Sequence, residues 1–153
     1  MHVPGLRSPH AKVGGIVYFG RMLDKIRLSA AGRLPADYNT GTASWWDFDS
    51  RCTRFLGIGY DALVERVRRG GTDRKILTWC FHEGHGPSDE QIEIWNTFMQ
   101  KRGWNDGTSS SLLTEKTAAG LGEREEIVTW FDLFVADERP RRKPAKAGKK
   151  KSR

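Results

Sequence analysis

The stretch His82-Glu83-Gly84-His85 puts two imidazoles and a carboxylate next to one another, and these are ordinary zinc ligands. Its spacing argues against a metal. In the zincin pattern two histidines four residues apart share a helical face with a Glu between them; here they are three apart, Gly84 is expected to end the helix, and no third ligand lies nearby. The expectation is a solvated helix terminus with His82 near the negative end of the dipole, and no metal or other cofactor. Arg21, Asp24 and Lys25 form a second cluster, on neighbouring patches of one helix. As a ligand site, Arg21 and Lys25 would bind a carboxylate or phosphate while Asp24 orients the guanidinium. As a structural ion pair, they would dock the helix against its neighbours, and this reading is preferred because such pairs perturb charge without catalytic purpose. Trp45-Trp46 could stack on a ligand or partner surface, but a hydrophobic lid over the core is the preferred role. Ser109-Ser110-Ser111 lacks the Gly-x-Ser-x-Gly elbow and a His partner, so it reads as a helix-capping run. Gly14-Gly15, Gly57-Ile58-Gly59 and Gly70-Gly71 match neither a phosphate loop nor a dinucleotide fingerprint and read as stop signals. No residue is assigned a catalytic role.

The charge is divided unevenly along the chain. Of 26 Lys and Arg, nine fall in the tail from Arg139 to Arg153 (Arg139, Arg141, Arg142, Lys143, Lys146, Lys149, Lys150, Lys151 and Arg153), which contains no acid. The overall charge of +7 is therefore a property of the tail, and residues 1–138 alone carry more acids than bases. Interleaved with Pro and Ala and without aromatics, the tail is expected to be disordered when free. It can neutralise phosphates and bind nucleic acid or another polyanion without reading sequence; a merely solubilising terminus is the competing reading. No apolar face or lipidation signal accompanies the charge, which argues against a membrane partner.

The elements that must position these residues read as helices. Phe19, Met22, Leu23, Ile26 and Ala30 make a helical stripe in a segment expected over 16–31, with Val17 and Leu28 on the other side, so both faces could be covered. Residues 33–46 read as a long loop. Short helices follow around Phe55, Leu63 and Ile76, with Asp47 or Asp49 as cap of the first and Thr72 or Asp73 of the third. Ser88 with Gln91 fits a capping box ahead of Ile92, Trp95, Phe98 and Met99. A weakly patterned helix is expected from Ser109 to Ala119. A final one is expected near 125–136, begun by acids and carrying Ile127, Val128, Phe131, Phe134 and Val135. No run alternates as a strand does, so little or no sheet is expected. The result is an all-α, compact single-domain bundle of five to seven helices over 1–138, with the tail 139–153 outside it. Cys52 and Cys80, with no leader-like N-terminus and no run long enough to cross a bilayer, read as reduced core thiols of a soluble cytoplasmic protein.

Leu6-Arg7-Ser8-Pro9, Gly14-Gly15, Arg21-Met22-Leu23-Asp24-Lys25-Ile26-Arg27, Phe55-Leu56-Gly57-Ile58 and Tyr60 together resemble a family of small bacterial proteins, the domain-of-unknown-function family 5069. The resemblance spans Leu6 to Asp137 and omits the tail. It implies a bacterial, intracellular single domain and carries no activity onto any residue. From the residues themselves, the leading expectation is a non-enzymatic binding or interaction domain whose tail attracts polyanions. The alternative is an enzyme or small-molecule binder with a pocket between the first helix and the Trp45-Trp46 loop, using Arg21, Asp24 and Lys25.

Overall fold

A computed structural model of the chain describes residues 1–140; the expected tail beyond Pro140 lies outside the described residues. In chain order the described residues form a hairpin, β1 (Lys12–Val13) and β2 (Ile16–Val17), then seven helices. These are α1 (Phe19–Ala30), α2 (Phe48–Leu56), α3 (Tyr60–Arg68), α4 (Asp73–Glu83), α5 (Asp89–Lys101), α6 (Ser109–Ala118) and α7 (Trp130–Asp137). The mostly helical reading stands, and the loop before α2 is irregular from Arg33 to Trp46 as its composition predicted.

Two boundaries differ from the sequence expectation. Gly14-Gly15 is not a helix stop: Gly14 (φ 56°) and Gly15 (φ 81°) are the two left-handed positions of a tight hairpin turn, pairing Val13 with Ile16. α1 therefore starts at Phe19, not at residue 16. The last helix starts at Trp130, not at residue 125. Its start is fixed by a capping box: the Thr129 hydroxyl accepts from Asp132 N at 3.1 Å, and the Asp132 carboxylate accepts from Thr129 N at 3.0 Å. Ile127 is apolar because it packs with Leu112 and Leu133 in a small second cluster, ahead of the helix rather than within it. The Ser88–Gln91 capping box is present at the start of α5.

α1 is the axis of the domain. Phe19, Met22, Leu23 and Ile26 enter the main core with residues of α2, α3 and α4, while Leu28 is buried on the other side. The helix is thus covered all round, and Arg21, Asp24 and Lys25 are buried with it. Each must be neutralised where it lies, because a charge removed from water without a partner costs several kcal/mol. Asp24 is answered by the N-terminal arm. Arg7 donates to its carboxylate through Nε at 2.8 Å, Nη2 at 2.9 Å and the backbone N at 3.0 Å. Asp73 at the start of α4 extends this network, taking Arg7 at 2.6 Å and Arg27 at 2.8 Å. Against the cost of burial, those two guanidiniums hold the Asp73 carboxyl below the usual carboxylate range.

Replacing Asp24 with Asn keeps the shape but removes the charge that Arg7 needs, at a cost of about 2 kcal/mol. The expected outcome is a melting temperature lower by roughly 8 °C, with no dependence on any added ligand. A melt unchanged from the parent would show that the arm is not held this way.

Candidate functional site

A cleft of about 630 Å³ opens between α1, the loop before α2, α6 and the end of α7. Its base is formed by groups buried in the fold. Tyr18 leaves the hairpin in the left-handed region (φ 71°), an uncommon conformation for a side chain this large. That backbone is held because the Tyr18 hydroxyl donates to Asp49 at 2.7 Å and accepts from Lys25 at 2.9 Å. Lys25 is in turn fully committed: its ammonium meets Asp49 at 2.7 Å, the Asn39 carbonyl at 2.7 Å and the Tyr18 hydroxyl. The second oxygen of Asp49 accepts from Gly41 N at 3.2 Å, which folds the loop back over α2. Burial pushes the Lys25 ammonium below the ordinary lysine range against the pull of Asp49, and pushes the Tyr18 phenol well up, so the phenol stays protonated.

Arg21 is committed in the same way. Glu138, just past α7, takes its guanidinium with both oxygens, at 2.8 Å and 2.5 Å, and Tyr38 donates to the same carboxylate at 2.9 Å. The remaining face of the guanidinium lies over the Phe134 ring, 5.1 Å from its centre. Arg102, the third cation on the cleft, pairs with Asp106 at 3.2 Å. Six acids line the cleft against these three cations. Asp37, Asp47 and Glu115 are those that make no ion pair among the described residues. Trp46, Phe48, Trp130 and Phe134 supply aromatic wall.

The structure therefore brings Arg21, Lys25 and Trp46 to one cleft and leaves Asp24 on another side of α1 with Arg7. Trp45 and Trp46 do not form a lid on the core: they are 65% and 58% exposed, packed edge to face on each other. A tandem of large rings on a loop with no regular element to press it inward stays outside. Trp45 instead lies under the Arg51 guanidinium, which also covers Phe98. The sequence did not identify Tyr18, Tyr38, Asn39, Asp49 or Glu138. Its one usable signal was three charges on a helix apolar on both faces, which requires counter-charges without saying whose.

The other candidate motifs have structural work. Gly84 lies against α2 so closely that a Cβ there would sit 2.1 Å from the Leu56 carbonyl oxygen, and His85 N donates to that oxygen at 2.7 Å. His85 then turns to Gln91 at 3.1 Å, whereas His82 is exposed beside Glu83. Among the described residues no group of three His, Cys, Asp or Glu is gathered as metal ligands. The Ser109 hydroxyl closes the turn before α6, accepting from Asp106 N at 3.0 Å and donating to the Gly103 carbonyl at 2.7 Å. Cys52 and Cys80 are free and buried, and burial pushes the Cys80 thiol up to about 12 and Cys52 well up.

A buried pair of this kind is costly to break and cheap to remove whole. Asp49→Asn strands the Lys25 charge and is expected to cost roughly 3 kcal/mol, while Lys25→Met with Asp49→Asn recovers part of that loss in urea unfolding. A double variant no more stable than the single one would refute the pairing as the source of the cost.

No helix among the described residues is long and apolar enough to cross a membrane. No curated protein matches the chain. A family model, Domain of unknown function (DUF5069), matches residues 3–140, from the arm that answers Asp24 to the residues just beyond Glu138 that answers Arg21. With the match covering nearly the whole sequence, the chain belongs to the DUF5069 family.

Proposed function

We propose that this is a non-enzymatic binding domain whose cleft takes an organic cation, a primary amine or guanidinium on a short apolar stem. One observation carries the reading: the cleft's cations are already paired inside the fold, while Asp37, Asp47 and Glu115 make no ion pair among the described residues. A carboxylate or phosphate arriving there would have to displace Glu138 or Asp49 from the buried groups they neutralise. A cation meets acids with acceptor capacity to spare, and Trp46 or Trp130 offers a ring face worth about 0.5–2 kcal/mol to it. The base of the cleft also argues for binding rather than turnover. The Lys25 donors are all engaged and its nearest hydroxyl, Tyr18, is held protonated between Asp49 and Lys25. The two free, buried thiols support a reducing, cytoplasmic setting.

Agmatine, which has a guanidinium at one end and an amine at the other, is the probe that tests this. Titrated into the full chain at low salt, it is expected to change Trp fluorescence with saturation. Asp47→Asn with Glu115→Gln should weaken it about tenfold, the effect of roughly 1.4 kcal/mol. Saturation that ignores both substitutions would place the probe elsewhere and sink the reading.

The tail supports a second role, affinity for nucleic acid or another polyanion, because its nine Lys and Arg include no acid to pair with them. On unrelated duplex DNA the log-log salt slope is expected to shrink by about 0.9 for each phosphate that is no longer neutralised, so up to about 3 on replacing Lys149, Lys150 and Lys151 with Gln. Identical slopes for parent and variant would remove this role.

A further inference from the structure

We infer that the outer face of α5 is a self-association surface, on which a second copy of this chain docks about a two-fold axis with its own α5 antiparallel. Glu90, Glu93, Ile94, Thr97 and Phe98 line a shallow groove there, and their i, i+3, i+4, i+7, i+8 spacing is that of one helical face, continued at the last turn by Lys101. The core is reached from the other side of the helix, through Trp95 and Met99, so this face is not what anchors α5. Ile94 is nevertheless apolar and 63% exposed, and Phe98 is 38% exposed. The exposed Trp45 stands beside them, joined through Arg51, whose guanidinium lies 5.5 Å from the Trp45 ring centre and 5.1 Å from that of Phe98. Scattered exposed side chains of this size need no explanation, but three gathered on one face mark a contact surface.

The charges at the two ends of this face decide what covers it. Glu90 and Glu93 at one end make no ion pair among the described residues, and neither do Arg51, Arg54 and Lys101 at the other. Burial, then Arg102 and Arg54, hold the Arg51 guanidinium below the ordinary arginine range, as expected of cations crowded together. The helix dipole favours acids in the first turn and bases in the last, but it gives no reason for the apolar middle to lie open to water. Turned by 180° about an axis between Ile94 and Phe98, the face meets its own complement. Ile94 of each copy falls on Phe98 of the other, and Glu90 and Glu93 of each fall toward Arg51 and Lys101 of the other. Glu90 and Lys101 are about 16 Å apart along the helix, so both charged ends come into register at once. A nucleic acid or an acidic partner would satisfy the basic end and be repelled by Glu90 and Glu93; a second copy satisfies both ends. Such a contact uses the same patch on both copies and closes at two.

Sedimentation equilibrium of the full chain at physiological ionic strength tests this. The parent is expected to pass from monomer to dimer between roughly 10 μM and 1 mM, the range of a small interface. Glu90→Arg with Glu93→Arg makes the face wholly basic, and Arg51→Glu with Lys101→Glu makes it wholly acidic. Each pair of substitutions is expected to weaken self-association about tenfold or more through like-charge contact, and each chain should still melt cooperatively because none of the four side chains is buried. Mixed in equal amounts, the two variants should form a heterodimer at least as tight as the parent dimer. One chain carrying all four substitutions is self-complementary again and should dimerise like the parent. A parent that stays monomeric at 1 mM overturns the proposal and leaves the face to a partner of another kind. Association that ignores both pairs of substitutions, as one made through the basic tail would, overturns it too, as does a loss that neither mixing nor the fourfold variant restores.

Discussion

The domain depends on the burial of three charges in one helix. α1 is apolar enough on both faces to sit at the centre of the fold, yet Arg21, Asp24 and Lys25 ride inside with exposures of 3%, 7% and 5%. Hydrophobic burial alone would have put a helix somewhere in the core. The charges determine which segments cover it, because each requires a particular counter-charge at hydrogen-bond distance. Asp24 draws in Arg7 and with it the N-terminal arm, Lys25 draws in Asp49 and the start of α2, and Arg21 draws in Glu138 from the far end of the described chain. Three distant segments converge on one helix for one electrostatic reason.

The cleft follows from how those charges are answered. Asp49 serves Lys25, Tyr18 and Gly41 at once, and that shared carboxylate turns the loop before α2 back toward α1. Tyr60 packs on the same turn, with its phenol pushed up to about 12 by burial and then by Asp49. Neutralising the cations from within leaves the outer acids without internal partners, so the cleft acquires a negative rim although α1 itself contributes two positive charges to it. The charged residues nearest its base, Arg21 and Lys25, are positive, yet both are already paired, with Glu138 and Asp49.

Much of this was legible locally and little of it globally. The stripe of Phe19, Met22, Leu23 and Ile26 and the Ser88–Gln91 box are short-range signals, and short-range physics decides them. The hairpin was missed because its strands are two residues each, too short to alternate, though Gly14-Gly15 between Val13 and Ile16 is itself a hairpin signal. The final helix was drawn too early because Ile127 and Val128 fit a helical register by coincidence, while Thr129 and Asp132 fixed the true start. The preference for a structural ion pair had the charges of α1 dock the helix against its neighbours, without naming Arg7 as the partner of Asp24. Arg7 lies 17 residues away and Glu138 lies 117 from Arg21, separations at which periodicity carries no information.

The same long-range pair links the domain to its tail. The Glu138 carboxylate grips Arg21 with both oxygens and takes a third hydrogen bond from Tyr38, so the chain is held to within one residue of Arg139. Arg21 is therefore not free in the cleft: its guanidinium is spent on Glu138, and through Glu138 it fixes where the basic segment begins.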